Sequence, residues 1–151
     1  MKINTLFFGE LKVEEAEIII FAQGIPGFEE LTKFILVQPK ESAPFSYFQS
    51  IQEGDLSFLV TDPFIFFKEY DFILPEALQE ELKIEQLDDV QVWCVVTVDE
   101  DFTKITLNLL APIIWNVKAQ LAKQIILHDS EYKVKHEVVM SELNEATQGK
   151  G

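Results

Sequence analysis

Apolar runs of about strand length, rich in Ile, Val, Phe and Thr, recur along the chain between short breaks at Gly24-Ile25-Pro26-Gly27, Pro39, Pro44, Glu53-Gly54-Asp55, Asp62-Pro63, Pro75, Asp99-Glu100-Asp101 and Asp129-Ser130. That rhythm predicts an antiparallel β domain. The candidate strands are Ile3 to Phe8, Ile18 to Ala22, Phe34 to Gln38, Phe45 to Gln52, Ser57 to Thr61, Val90 to Val98, Thr103 to Leu109, Ile113 to Asn116, Ala122 to Leu127 and Lys133 to Val139. From Lys104 to Leu109 polar and apolar residues alternate strictly, which places Ile105, Leu107 and Leu109 on one buried face. Val92 to Val96 is apolar on both faces and predicts a central strand, joined to its neighbour by a hairpin through Asp99 to Asp101.

One helix is expected, over Pro75 to Leu82. Proline suits the first turn, Leu78 and Leu82 share a face, and Glu76, Glu80 and Glu81 face outward. Val117 to Lys123 contains good helix formers, but the β-branched runs on either side favour a hairpin linker. The expected fold is mainly β: a single-domain, antiparallel, barrel-like structure with one or two short helices over residues 1–139, followed by a polar tail over 140–151.

Size agrees with one core, since 151 residues with thirteen Phe and 48% apolar positions suffice to build it. The longest apolar run, Leu109 to Trp115, is far short of the ~20 residues that cross a bilayer. The first ten residues do not read as a secretory signal, so a cytoplasmic location with no membrane partner is expected. A lone Cys94 excludes an internal disulfide and a thiolate zinc cluster, and flanked by Trp93 and Val95 it reads as a small core hydrophobe.

The charge balance narrows the choice of partner most. Twenty-six acids face twelve cations, every one a Lys, for a net charge of -14. Nucleic acid would be repelled, and no guanidinium is present to grip phosphate in a fork. A basic protein is the natural partner. The field is uneven: residues 69–101 hold eleven acids and one Lys. Glu76, Glu80, Glu81, Asp88 and Asp89 are therefore a candidate electrostatic patch, the alternative being a solvated surface that keeps the protein soluble.

Catalytic signals are weak. His128 and His136 fit no zinc or helical-pair spacing and read as surface residues, and phosphate loops and nucleophile elbows are absent. No cofactor, metal site or catalytic residue is expected. Abundant carboxylates leave one enzymatic alternative, a small acidic β domain with carboxylate-based hydrolase or carbohydrate-binding activity. Gly24, Pro26 and Gly27 read as a tight structural turn in which Gly27 takes positive φ. Pro112 cannot donate to a ladder and predicts an edge or bulge, where Asn108, Pro112, Asn116, Gln124 and Tyr132 would form a partner surface. Phe64, in the run Asp62 to Phe67, is a candidate exposed anchor, although such aromatic clusters are more often core. At least one of those rings points outward if the run is extended.

These segments carry a resemblance. Phe21 to Glu29, Pro44-Phe45 with Phe48-Gln49-Ser50, Phe58 to Pro63, Asn108 to Asn116, Gln124 to Leu127 and Tyr132, in that order, resemble the flagellar assembly factor FliW family across nearly the whole chain. The resemblance implies a non-enzymatic, cytoplasmic, mostly β protein that binds newly made flagellin. When flagellin has been secreted, such a protein captures the RNA-binding repressor CsrA and relieves repression of flagellin translation. Its action on CsrA is non-competitive with RNA, which requires coupling between two sites.

Overall fold

The computed structural model describes residues 1–101, 104–128 and 130–138. The expected tail over 140–151, the start of a strand at Thr103, the end of one at Val139 and the turn at Asp129 lie outside them.

The strands are β1 (Lys2–Thr5), β2 (Gly9–Lys12), β3 (Ile19–Ile20), β4 (Lys33–Val37), β5 (Phe45–Ser50), β6 (Ser57–Thr61), β7 (Val90–Val98), β8 (Ile105–Leu107), β9 (Ile113–Asn116), β10 (Leu121–Gln124) and β11 (His136–Glu137), with α1 (Glu76–Glu81) between β6 and β7. Neighbours run in the order β7-β6-β5-β4-β3-β10-β9, and β9 pairs back onto β7, closing a barrel. Every pairing is antiparallel except β3 with β10, which meet at Ile20 and Leu121. The long β7 makes closure possible: Val90 to Trp93 pair with β9, then Val96 to Val98 pair with β8, which extends the sheet outside the barrel to β11.

The period-2 pattern explains what goes inside. Ile19, Phe34, Phe48, Val60, Trp93, Ile113 and Trp115 come from alternate positions of their strands and fill the barrel. Phe48 lies at the centre, with ring centroids 5.8 Å from Phe21 and 6.1 Å from both Trp93 and Trp115. β7 is apolar on both faces because a second core covers its outer side, where Cys94 and Val96 meet Phe66, Tyr70, Leu107 and Leu109. A third, smaller core seats Leu78 and Leu82 of α1 on Ile114, the outward residue of β9.

Several expectations are corrected. The predicted strand Ile3 to Phe8 is instead half of a hairpin, because Thr5 turns the chain: its Oγ1 donates to Gly9 O and accepts from Phe8 N. Most strands are shorter than their apolar runs, which continue into irregular segments: Leu109, Ile125 and Leu127 pack on the second core and Phe21 on the first. Asp62 to Phe67 is not extended. Asp62 accepts from Phe64 N at 2.9 Å and starts a single 3-10 turn over Pro63–Ile65, which buries Phe66 and leaves Phe64 41% exposed. Val117 to Gln120 is the tight β9–β10 turn, as the flanking strands predict.

Candidate functional site

The acidic helix begins at Pro75, whose φ of -59° is already set for a helix start. Leu78 and Leu82 face inward, and Glu76 and Glu80 stand exposed. Glu81 differs from them. Its carboxylate takes Lys123 Nζ at 3.0 Å and Gln23 Nε2 at 2.9 Å, so it ties the helix to β10 and to the loop before Gly24. Asp88 is exposed and Asp89 half-buried in the 3-10 turn Leu87–Asp89, with Asp89 O accepting from Val117 N.

Pro112 and Asn116 do not lie on an edge. β9 is flanked by β7 on one side and β10 on the other, and all four of its residues are buried. Pro112 is buried just before the strand, where its carbonyl accepts from Ile125 N. Asn116 is 2% exposed and fully engaged: Nδ2 donates to Leu82 O at 2.8 Å and Lys83 O at 3.0 Å, while Oδ1 accepts from Lys118 N and Ala119 N. One side chain thus satisfies the open carbonyls at the end of α1 and the β9–β10 turn together. Asn108 Oδ1 accepts from Ala111 N and Gln124 Nε2 donates to Ala111 O, so both brace the bend before β9. Phe64 lies elsewhere, at a cavity shared with Pro44, Gln91 and Trp93.

Tyr132, alone of that predicted set, lines an apolar groove of about 660 Å³. One wall is Asp71, Phe72, Ile73 and the first turns of α1; the other runs from Lys123 through Ile125, Ile126 and Leu127 to Tyr132. The Tyr132 hydroxyl accepts from Asp71 N at 3.0 Å and reaches Asp71 O at 3.2 Å, latching one end. The Glu81–Lys123 ion pair closes the other. The sequence does not announce this groove because, apart from α1 and the end of β10, its walls are irregular segments with no period to betray them; the isolated apolar run Phe72-Ile73-Leu74 is the available signal.

The Gly24 to Gly27 turn matches expectation. Phe28 N donates to Ile25 O at 2.6 Å, with Pro26 at the second position and Gly27, φ +90°, at the third, the arrangement of a type II turn. Gly24 also has positive φ, and a Cβ there would sit 2.5 Å from Glu29 Cα. Gly27 has open space around it, so Gly27→Ala strains only the backbone; a loss of about 1 kcal/mol is expected in urea unfolding. Glu29 Oε1 accepts from Gly27 N at 3.1 Å, which holds its carboxyl below the ordinary value of 4.5. That support is complete above pH 4.5 and fades as pH falls through the lowered value.

Cys94 is fully buried, and burial pushes its thiol up to about 12. The neighbouring Tyr70 hydroxyl, also raised by burial, donates to Leu109 O at 2.6 Å. Native protein is therefore expected to resist thiol reagents at neutral pH and to react fully in denaturant; rapid labelling of folded protein would contradict this. His128 is exposed at the groove, but His136 is not the surface residue expected: half-buried in β11, its ring meets Phe67 edge-on at 4.9 Å. Among the described residues no group of three or more His, Cys, Asp or Glu is placed to hold a metal ion, and no helix is long and apolar enough to cross a membrane.

Comparison with known proteins places this architecture. The family model described as FliW protein matches residues 2–138. The chain is 46% identical over 138 residues to the flagellar assembly factor FliW of Bacillus subtilis (strain 168), covering 91% of this chain and 96% of that one. It is 43% identical over 142 residues to the protein of the same name from Clostridium botulinum (strain 657 / Type Ba4), covering 94% and 99%. A crystal structure of the flagellar assembly factor FliW superposes with a TM-score of 0.85 at 39% identity, covering 91% of this chain and 96% of that one.

Proposed function

This chain belongs to the FliW family of flagellar assembly factors, and on that premise we propose that it binds flagellin and, when free of flagellin, binds and antagonises the translational regulator CsrA. The observation that carries the reading is the match to FliW proteins over nearly the whole described chain. Members of the family are assembly factors rather than enzymes, so the carboxylate-hydrolase alternative falls away. The chain acts in this reading as a cytoplasmic partner switch, relieving repression of flagellin mRNA translation once flagellin is exported, and it touches no nucleic acid itself.

Charge supplies a physical account of RNA release. A body of charge -14 docked on an RNA-binding protein raises the local negative potential and weakens phosphate binding even where it covers no RNA contact. Glu76, Glu80 and Asp88 are exposed and Asp89 is half-buried, so these four are the groups to neutralise; Glu81 is left intact because it holds Lys123 and Gln23. A variant with Gln or Asn at the four positions is expected to keep flagellin binding while releasing RNA from CsrA less well, and added salt is expected to blunt release by the native protein. Equal release by both proteins at every salt concentration would remove the electrostatic account. Purified protein is expected to co-elute with flagellin and, separately, with CsrA; failure to bind either would overturn the proposed function.

A further inference from the structure

The first half of β7 has two unequal sides. Val117 N donates to Asp89 O, and β9 lies against β7 in unbroken register from Val90 opposite Asn116 to Trp93 opposite Ile113. In an antiparallel ladder the backbone groups alternate in direction, so Gln91 and Trp93 turn their N–H and C=O toward β9. Val90, Val92 and Cys94 turn theirs the opposite way. Cys94 meets Thr61 of β6 there, and Val90 N donates to Leu87 O. Among the described residues, the Val90 carbonyl and both the N–H and the C=O of Val92 meet no partner.

The end of β6 creates this open edge. After Thr61 the Asp62 carboxylate accepts from Phe64 N, Pro63 has no N–H to offer, and the chain coils into the turn Pro63–Ile65 instead of continuing along β7. A cavity of about 640 Å³ is left, lined by Val90 to Trp93, by Asp62, Phe64 and Ile65, and by residues of the segment 38–46. Free sheet edges are ordinarily protected by a charge, a proline or a bulge. Val90 to Trp93 carry none of these.

Unpaired donors and acceptors spaced along a strand select one ligand chemistry. A helix has already used its own main-chain groups, whereas an extended polypeptide presents N–H and C=O at the period of the edge. We infer that a protein partner inserts an extended segment into this cavity as an added strand, in line with β6, that pairs with Val92 N–H and C=O and with Val90 C=O. Its side chains then alternate between the face of Gln91 and Trp93 and the face of Val90 and Val92. The inference rests on reading the chain as a protein-binding module, and it names the edge used and the backbone conformation the partner brings.

The test follows amide hydrogen exchange by NMR in the full chain, alone and with a peptide of about seven residues, roughly 23 Å when extended, of alternating Thr and Val with Lys at both ends. A second peptide is N-methylated on alternate residues, which blocks one edge and leaves the other able to pair. A third is N-methylated throughout and can pair along neither. In the free chain the Val92 N–H is expected to be protected at least about tenfold less than those of Gln91 and Trp93. Saturating amounts of the first two peptides are expected to raise Val92 protection at least about tenfold and the third to leave it unchanged. Glu10 and Lys12 of β2, turned outward because Val13 N bonds Met1 O, provide a second open edge and are expected to stay unprotected. Val92 already as protected as Gln91 in the free chain, no change with the first peptide, or equal protection by the third would overturn the inference. So would equal protection of Glu10 and Lys12, which marks unselective pairing, or Val92 protection that grows with the concentration of the free chain, which assigns the edge to a second copy. Co-elution with flagellin and with CsrA, measured in parallel, tests the wider reading separately.

Discussion

Phe48→Ala is expected to destabilise the protein by about 3–5 kcal/mol in urea unfolding, the range for removing a fully buried aromatic ring from a packed core. Phe48 has no exposed surface and stands edge-on to Phe21, Trp93 and Trp115, rings delivered by the segment after β3, by β7 and by β9. Its loss therefore empties the place where distant parts of the closed barrel meet. Phe64→Ala is the matched control: that ring is 41% exposed and touches Tyr70 at 5.7 Å, so its removal is expected to cost well under half as much. Equal losses for the two would mean that the barrel centre is not what holds the fold.

Asn116→Ala is the second large effect. The substitution strips partners from the Leu82 and Lys83 carbonyls and from the Lys118 and Ala119 N–H groups, in a site that water reaches poorly. Each buried polar group left unpaired costs about 1–3 kcal/mol, and partial relaxation of the turn toward solvent lowers the sum, so a loss of about 2–4 kcal/mol is expected. The consequence for function is indirect. With its C-terminal anchor gone, α1 shifts on Ile114 and carries Glu81 away from Lys123, so partner binding falls together with thermal stability. An Asn116→Ala protein of native stability that had lost partner binding would restore this residue to the contact surface, where the sequence first placed it.

The reason the sequence misplaced Asn116 is physical. Strand-length runs identify themselves by period and turn chemistry, and Ser57 to Thr61, Val90 to Val98 and Ile113 to Asn116 fall where the pattern puts them. What pairs with the second side of a strand leaves no local mark. Pro112 announced an edge, yet the N-terminal half of β7 folds back against β9 and removes it. The polar end of β9 looked available for the same reason, although α1, distant in sequence, covers it. Glu81 is a parallel case: helical spacing puts it outside, correctly, and only the fold shows that Lys123 and Gln23 are waiting there. The Gly24 to Gly27 turn was legible because its constraint is local, a positive φ after a proline. Gln49, buried on β5, shows no local sign of its structural role. The two protons of its Nε2 are shared among the carbonyls of Ser50, Gly54 and Leu56 at 2.9, 3.1 and 3.1 Å and hold the β5–β6 loop, a role that becomes visible only when that loop closes over it.

The partner switch is tested most directly by following labelled flagellin leader RNA bound to CsrA while this protein, and then flagellin, are added at moderate salt. The account predicts that the protein releases the RNA without binding it and that flagellin, added in excess, restores the CsrA–RNA complex. RNA that stays on CsrA at saturating protein, or release that flagellin leaves unchanged, would contradict it.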